Sequence, residues 1–201
     1  MTKAAILSPV GDFESLYAAV NSGADAVYLG MGGFNARIKA KNFDENDITA
    51  AVEYAHLRGV KVYMTVNTLV YNDEFDSLVA TVKSAIEAGV DAFIVQDLGV
   101  ARVLKQTFSG IELHASTQLG VHNLKGALVA EKLGFKRVVL SRETKLSDIK
   151  EIKDNTNLEI EFFVQGALCS SFSGNCLLSS FKSGDSGNRG RCAQLCRLKY
   201  S

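Results

Sequence analysis

The first 168 residues of this 201-residue chain contain no cysteine. The chain also lacks an apolar run approaching the ~20 residues that a membrane-spanning helix needs. Residues 1–10 lack the charged-then-apolar pattern of a signal peptide. Neither charge sign is in excess, since 22 basic residues balance 22 acidic ones, and 47% of the residues are hydrophobic. These features predict an ordinary globular protein located in the cytoplasm.

Several familiar catalytic motifs are also missing. No Gly-x-Gly-x-x-Gly follows the first predicted strand, which argues against dinucleotide binding. The sequence has no His-Glu-x-x-His zinc helix, no Gly-x-Ser-x-Gly nucleophile elbow and no P-loop. Hydrolysis by these common routes is therefore not indicated.

All four cysteines lie in the last 33 residues, within a segment rich in glycine and serine. They are Cys169, Cys176, Cys192 and Cys196, separated by six, fifteen and three residues. Thiols grouped in one loop of a cytosolic protein more often bind metal than form disulfides. Neither close pair has the Cys-x2-Cys spacing of structural zinc sites, so we expect an iron–sulfur cluster; zinc, or thiols that bind no metal, are the alternatives.

The balanced net charge hides an uneven distribution. Residues 182–201 contain five basic side chains and one acidic side chain, whereas the remaining residues contain 17 basic and 21 acidic ones. The basic end of the cysteine-containing segment is either a solvated loop or a contact for an anion or nucleic acid.

A repeated pattern predicts the fold. A helical stretch ends on glycine and a short β-branched strand follows, at Gly23, Gly59, Gly89 and Gly134. Helices are predicted over residues 13–22, 45–58 and 74–88, for example. Alternating strands and helices indicate an α/β fold, and polar residues after the strands favour a (β/α)8 TIM-type barrel over an open sheet. The predicted strands are residues 4–8, 26–30, 60–66, 92–96, 111–115, 137–141 and 158–165.

An eighth strand is not visible in the sequence. We therefore expect an incomplete barrel in residues 1–166 and a cysteine-rich segment in residues 167–201 on its C-terminal face. A fragment of a longer protein is the favoured explanation. A partner chain or a rearranged terminus that closes the barrel is the alternative.

Polar residues at the strand ends are the candidate site, because the active sites of such barrels lie at that face. Each has a structural alternative: Asp97 is equally suited to cap the next helix, and His114 to fill the barrel interior. The candidate catalytic residues are His114, Gln118, Asn67, Asp97, Arg142 and Glu143, and the candidate substrate-binding residues are Asn35, Arg37, Arg189, Arg191 and Arg197.

Two stretches make the chain recognisable: EFFVQGALCSSFSGNCLLSS at 161–180 and SGNRGRCAQLCR at 186–197. With shorter matches at 23–30, 34–37, 66–68, 95–99 and 114–118, they cover essentially the whole chain. The sequence resembles the collagenase-like peptidases, family 32 of the peptidases of unknown mechanism. Gln165 departs from the family, where histidine is common, and family members continue further along the chain.

The resemblance has two functional implications. The family name implies proteolysis, whereas relatives with an explained activity resemble iron–sulfur-dependent, oxygen-independent hydroxylases of an RNA base or a ubiquinone precursor. Cysteines matching Cys169, Cys176 and Cys192 are cluster ligands in such relatives, so the resemblance implies a [4Fe–4S] cluster on the loop after the seventh strand. The fourth ligand varies among relatives, which leaves Cys196 least secure. We expect an RNA hydroxylase; a peptidase or a non-catalytic metal-binding assembly module are the alternatives. RNA is the expected partner, prephenate is a candidate oxygen donor, and a homo- or hetero-oligomer is left open.

Overall fold

The strands of this protein form one parallel sheet that follows the order of the sequence. The computed structural model describes residues 4–36, 38, 41–166 and 168–199. Within them the sheet has seven strands in the order β1 to β7, so each strand pairs with its neighbours in the chain. The strands are β1 Leu7–Pro9, β2 Ala26–Gly30, β3 Lys61–Val66, β4 Ala92–Val95, β5 Leu113–Ala115, β6 Arg137–Val139 and β7 Glu159–Glu161.

Helices connect the strands. Their positions confirm the predicted alternation, with the predicted helices 13–22, 45–58 and 74–88 each shorter by one to four residues. The helices are α1 Phe13–Asn21, α2 Asp47–His56, α3 Phe75–Glu87, α4 Leu98–Thr107, α5 Leu124–Lys132, α6 Leu146–Asn155 and α7 Leu178–Ser183, with 3-10 turns at Asn72–Glu74, Thr117–Leu119, Gly187–Arg189 and Leu195–Arg197.

The glycines after α1, α2, α3 and α5 take the left-handed conformation that the sequence predicted. Gly23, Gly59, Gly89 and Gly134 have φ of +87°, +70°, +91° and +81°. Residues with a Cβ resist this conformation, so the glycines allow the chain to reverse directly into the next strand.

Two apolar layers cover the two faces of the sheet. The larger lies between strands and helices and includes Leu16, Leu78 and Phe93. The smaller fills the concave side with Ala26, Tyr63, Ala92 and Ile94. This is the interior of an incomplete (β/α)8 barrel with seven of its eight strands among the described residues, and the predicted fold class is confirmed. The predicted strand 26–30 is exact, and the predicted strand 4–8 is displaced to Leu7–Pro9. The other five predicted strands are too long by one to five residues, most of all 158–165, which is Glu159–Glu161.

The described residues contain no helix that is both long enough and apolar enough to cross a membrane.

Candidate active site at the barrel mouth

A cavity of about 270 Å³ opens where the carboxyl ends of the strands meet. Every strand contributes to its wall, either directly or through the loop that follows it. Active sites of this fold occur at this end because the loops there vary while the barrel stays rigid. The polar and aromatic side chains that line it include Tyr28, Asn35, Lys41, Asn42, Thr65, Asn67, Ser116, Thr117, Gln118, Arg142, Glu161 and Phe163.

Four of the predicted residues meet at this cavity: Asn35, Asn67, Gln118 and Arg142. The Asn67 Oδ1 accepts a hydrogen bond of 2.9 Å from the Ala36 backbone N–H, which fixes its amide at the wall. The Arg142 guanidinium lies 4.5 Å from the centre of the Phe163 ring. The Gln118 Oε1 is buried without a hydrogen-bond partner among the described residues. An unpaired buried amide oxygen is costly, and a ligand that donates a hydrogen bond would relieve that cost.

Glu161 is a cavity residue that the sequence analysis missed, and it is the one carboxylate among the described lining residues. Arg137 contacts it at 3.4 Å, but Arg137 is closer to Glu159, with contacts of 2.6 and 3.0 Å. Burial raises the pKa of Glu161, and the Arg137 charge opposes that rise. Burial also acts on Glu159, yet the hydrogen bonds of Arg137 leave the pKa of Glu159 lowered. The wall of the cavity therefore carries a carboxyl group that keeps its proton more readily than an exposed one.

His114 lies inside the barrel beneath the cavity and does not line it. Its Nε2 donates to Glu112 Oε1 at 2.9 Å, and its ring packs edge-on against Tyr63 at 4.8 Å. Its Nδ1 is buried and unpaired within the described chain. Burial is the main cause that lowers the pKa of His114 to about 4, so the imidazole is neutral at physiological pH. This environment matches the structural alternative for His114, and the predicted catalytic contact is not seen.

Two further predicted catalytic residues have structural partners instead of facing the cavity. Asp97 caps α4, accepting from the N–H groups of Gly99 at 2.7 Å and Val100 at 3.2 Å. The capping alternative for Asp97 is thus confirmed. Glu143 accepts hydrogen bonds from the backbone N–H of Ser173 at 3.0 Å and from its hydroxyl at 3.4 Å. Since Ser173 lies between two cysteines, Glu143 attaches their segment to the barrel.

Residues 168–199, which follow β7 after a short connection, are called the cysteine segment below. It touches the loops that follow several strands. Gly174 packs against the loop after β5, where an added Cβ would lie 2.8 Å from the Gln118 carbonyl carbon. Gly190 packs against the loop after β2, where an added Cβ would lie 3.3 Å from the Asn35 carbonyl carbon. The cysteine segment therefore contacts loops at the same end of the barrel as the cavity.

All four cysteines are free thiols, Cys176 partly buried and the others exposed. Two contacts connect the backbone around these cysteines. An added Cβ on Gly187 would lie 3.8 Å from Cys192 Cβ and 4.0 Å from the Cys176 carbonyl oxygen. The Arg197 guanidinium donates to the Leu168 carbonyl at 3.3 Å, which brings the neighbours of Cys196 and Cys169 into contact.

The donor set suits an iron–sulfur cluster in kind, because four free thiols are available and thiolates are the ligands that such clusters use. No three His, Cys, Asp or Glu side chains among residues 4–36, 38, 41–166 and 168–199 converge closely enough to hold a metal ion. These contacts bring the backbone around the cysteines together without assembling a metal site within the described part of the chain, and cluster binding stays a prediction.

The arginines of the basic segment differ in their surroundings. The Arg189 guanidinium forms two hydrogen bonds with the Glu74 carboxylate, at 2.6 and 2.8 Å. Arg191 and Arg197 are exposed, and Arg197 has only the carbonyl contact described above among its side-chain bonds within the described residues. Arg37 lies outside the described residues. Exposed Arg191 and Arg197 thus remain candidates for a phosphate contact, whereas Arg189 has an acidic partner.

Some cavity residues had a signal in the sequence and others had none. Glu159 and Glu161 alternate along β7, and such alternation places both carboxylates on one face of a strand. Lys41 and Asn42 come from the long connection between β2 and α2, whose path no sequence pattern indicates.

Comparison with known proteins adds the following. Residues 11–201 match the family described as Peptidase family U32. The chain is 42% identical over 196 residues to a 23S rRNA 5-hydroxycytidine synthase of Escherichia coli strain K12, covering 98% of this chain and 29% of that protein. It is 41% identical over 202 residues to tRNA hydroxylation protein P of Helicobacter pylori strain 26695, covering 100% of this chain and 48% of that protein. It is 38% identical over 213 residues to a protein named collagenase from Porphyromonas gingivalis strain W83, covering 98% of this chain and 50% of that protein.

The chain thus spans half or less of the length of these relatives. Among solved structures, that of a U32 peptidase superimposes with a TM-score of 0.67 at 16% identity, covering 81% of this chain and 69% of the other. At this identity the similarity supports the fold alone.

Proposed function

Because the chain belongs to peptidase family U32, with RNA-hydroxylating proteins among its relatives, we propose that it carries the catalytic core of an iron–sulfur-dependent enzyme that hydroxylates an RNA base. The observation that carries the proposal is that the cysteine segment packs against the loops at the same end of the barrel as the cavity. A redox group held there would lie next to whatever the cavity binds.

The size and lining of the cavity favour a single base as the substrate. Its volume of about 270 Å³ is at the lower limit of ligand pockets, which are about 300–1,000 Å³. Amide groups such as those of Asn67 and Gln118 hydrogen-bond the edge of a base, and the Phe163 ring offers a surface for stacking. Enzymes that act on a base take it out of the stack, and a recessed cavity suits that requirement.

The charges around the mouth favour RNA over a peptide. Lys41 and Arg142 line the cavity, and Arg191, Arg197 and Lys199 are exposed on the cysteine segment. Basic side chains around a cavity attract the phosphates on either side of a flipped nucleotide. RNA modification is also why we place the protein in the cytoplasm. The curated relatives do not indicate the oxygen donor, and a small molecule such as prephenate remains part of this proposal.

Cys169, Cys176, Cys192 and Cys196 would hold the cluster, with Cys196 the ligand that a group outside this chain most readily replaces. When bound, an iron–sulfur cluster supplies one-electron chemistry that side chains lack. The residues of the chain itself would bind and orient the base: Asn67 and Gln118 at its edge and Phe163 at its face. Glu161, whose pKa burial raises, would take up a proton at the cavity wall more readily than an exposed glutamate.

The proposal is tested by metal analysis together with RNA analysis. Protein purified without oxygen is assayed for iron, sulfide and zinc, and RNA from cells lacking the native enzyme and supplied with each variant is digested for nucleoside mass spectrometry. We expect about four irons and four sulfides per chain and loss of the hydroxylated nucleoside in Cys169→Ala and Cys176→Ala. Ser170→Ala, in the adjacent exposed position, is the control. Unchanged modification in both cysteine variants would refute the proposal, and zinc without iron would favour the assembly module.

Peptidase activity is the second candidate because one relative is named collagenase. A peptidase of this kind needs a nucleophile beside a base. Ser116 and Thr117 offer hydroxyl groups at the cavity, but no histidine occurs among the described lining residues to activate them. Incubating metal-free protein with gelatin tests this candidate. Cleavage that persists in Cys176→Ala and disappears in a cavity variant such as Asn67→Ala would support it.

A further inference from the structure

The Arg189 side chain is engaged in contacts with the barrel. Its guanidinium forms a two-pronged ion pair with the Glu74 carboxylate, donates to the Leu69 carbonyl at 2.9 Å, and lies 4.1 Å from the centre of the Tyr71 ring. Two-pronged arginine–carboxylate pairs fix orientation as well as distance. Arg189 is therefore held in one position by three residues from the loop between β3 and α3.

The neighbours of Arg189 are attached at the same place. The Leu69 backbone N–H donates to the Asn188 carbonyl at 3.0 Å, so the cysteine segment and the loop after β3 bond to each other directly. On its other side, Gly190 packs against the Asn35 backbone. Three consecutive residues of the cysteine segment thus contact the barrel.

The ion pair is partly shielded from water, which strengthens it. The side chains of Arg189 and Glu74 expose only 26% and 28% of their surface. Hydrogen bonds from Arg189 are the main cause that lowers the pKa of Glu74 to about 2, so the carboxylate is charged at any physiological pH. The pair therefore keeps both of its charges across the physiological pH range.

The position of Arg189 in the chain connects this contact to the thiols. Arg189 lies between Cys176 and Cys192, in the same short turn as Gly187, and a Cβ added to Gly187 would lie within 4.0 Å of both the Cys192 Cβ and the Cys176 carbonyl oxygen. Because the Cys192 side chain and the Cys176 backbone both lie near this turn, fixing the turn on the barrel restrains both cysteines.

We propose that Glu74 and Arg189 form a clamp that positions Cys176 and Cys192 over the barrel mouth before any metal binds. Both are positioning residues, and neither is a ligand. The proposal deepens the proposed function, since it rests on these cysteines being ligands, but the clamp itself acts in metal-free protein. It also gives Arg189 a different role from the RNA contact that the sequence suggested.

The test uses the metal-free, reduced full chain and two measurements. Backbone hydrogen exchange reports on residues 186–191, and dibromobimane, a reagent that bridges nearby thiols, reports on the approach of Cys176 to Cys192 when its products are mapped by mass spectrometry. We expect Arg189→Ala and Glu74→Gln to accelerate local exchange about tenfold, since charge-assisted hydrogen bonds of this kind are lost, and to slow bridging by a similar factor.

Arg58→Ala is the matched control. Arg58 also stacks on a tyrosine, with its guanidinium 3.7 Å from the Tyr54 ring centre, and donates to the Tyr54 carbonyl, but it follows α2 at the opposite end of the barrel. Arg58→Ala should leave both measurements unchanged. The reversed pair Glu74→Arg with Arg189→Glu should recover part of the bridging rate, which a general loss of stability would not do.

The outcomes separate the two proposals. If exchange and bridging in Arg189→Ala match those of Arg58→Ala, the clamp is refuted, whatever the iron content. If the clamp variants show the expected changes but anaerobic wild-type protein contains neither iron nor sulfide, the clamp stands and the proposed function falls. If both stand, Arg189→Ala should also contain less iron per chain than Arg58→Ala after identical reconstitution.

Discussion

Alanine at Gly190 should detach the cysteine segment from the barrel, whereas alanine at Gly184 should not. The two glycines form a matched pair because both end a short helical turn in the left-handed conformation. Gly190 has φ +74° and ψ +6°, and Gly184 has φ +72° and ψ −2°. They differ in the space around them. No atom lies within 4 Å of a Cβ added to Gly184, whereas a Cβ added to Gly190 would overlap the Asn35 carbonyl oxygen and lie 3.2 Å from Ile38 Cγ2.

The expected cost follows from these two differences. Both substitutions cost about 1–2 kcal/mol for a left-handed residue with a Cβ. Gly190→Ala adds an overpacking cost of about 1–3 kcal/mol, because the obstructing oxygen belongs to the backbone of buried Asn35 and cannot rotate away. The cysteine segment can relieve this cost by local opening, so global unfolding need not show it. The difference between the two variants should therefore appear as a shift in local opening.

Limited trypsin digestion measures that opening, since trypsin cuts after Arg191. We expect cleavage there to be about tenfold faster or more in Gly190→Ala than in Gly184→Ala, as about 1.4 kcal/mol corresponds to a factor of ten in the open population. Thermal unfolding of the barrel should be similar in both variants. Equal cleavage rates would refute the packing of Gly190 against Asn35. Faster cleavage in Gly184→Ala would contradict both this packing and the open space around Gly184.

Two further predictions concern the barrel interior. Replacing Arg137 by methionine removes the partly buried cation beside Glu159 and Glu161. Because Glu159 is partly exposed and burial raises the pKa of Glu161, we expect a loss of about 1–3 kcal/mol and a melting temperature lower by roughly 5 °C, measured by circular dichroism. Arg137→Lys should lose less, and an unchanged melting temperature would contradict the ion pairs. His114 binds a proton near its ordinary pKa of 6.5 when unfolded and only at about 4 when folded, so acid favours unfolding, and stability should fall by about 2 kcal/mol from pH 7 to pH 5. Urea titrations of wild type and His114→Gln at several pH values measure the free energy of unfolding. Its decrease with falling pH should be smaller in the variant. An identical pH dependence in both proteins would exclude His114 as the cause.

The sequence predicted the fold well because its signals were local. Each glycine before a strand requires one backbone conformation, and each intervening helix has its own apolar face, so order and type of element follow from neighbouring residues. Strand ends were less well predicted, as with β7, because hydrogen bonding to the next strand decides where a strand stops. That pairing is not a property of the strand itself.

The site was predicted in part for the same reason. Asn67, Gln118 and Arg142 follow strands directly, so the topology alone brings them to the cavity. Glu143 and Arg189 also lie at the barrel mouth, but their partners are 30 and 115 residues away in the chain. Such long-range contacts leave no periodic pattern, and the polar type of a residue does not show whether it faces a ligand or another side chain.

The charged interior of the barrel also has a consequence for folding. Arg137 stands opposite Glu159 in the pairing of β6 with β7, and Val139 stands opposite Glu161. If β7 slipped by one residue, Ile160 would face Arg137, and both glutamates would point into the apolar layer beneath the helices. A misaligned chain would thus bury two carboxylates without a cation and one cation without a carboxylate. The same charges that cost energy to bury therefore disfavour any other alignment of β7 against β6. The correct alignment in turn preserves the geometry of the site at the carboxyl end of β7.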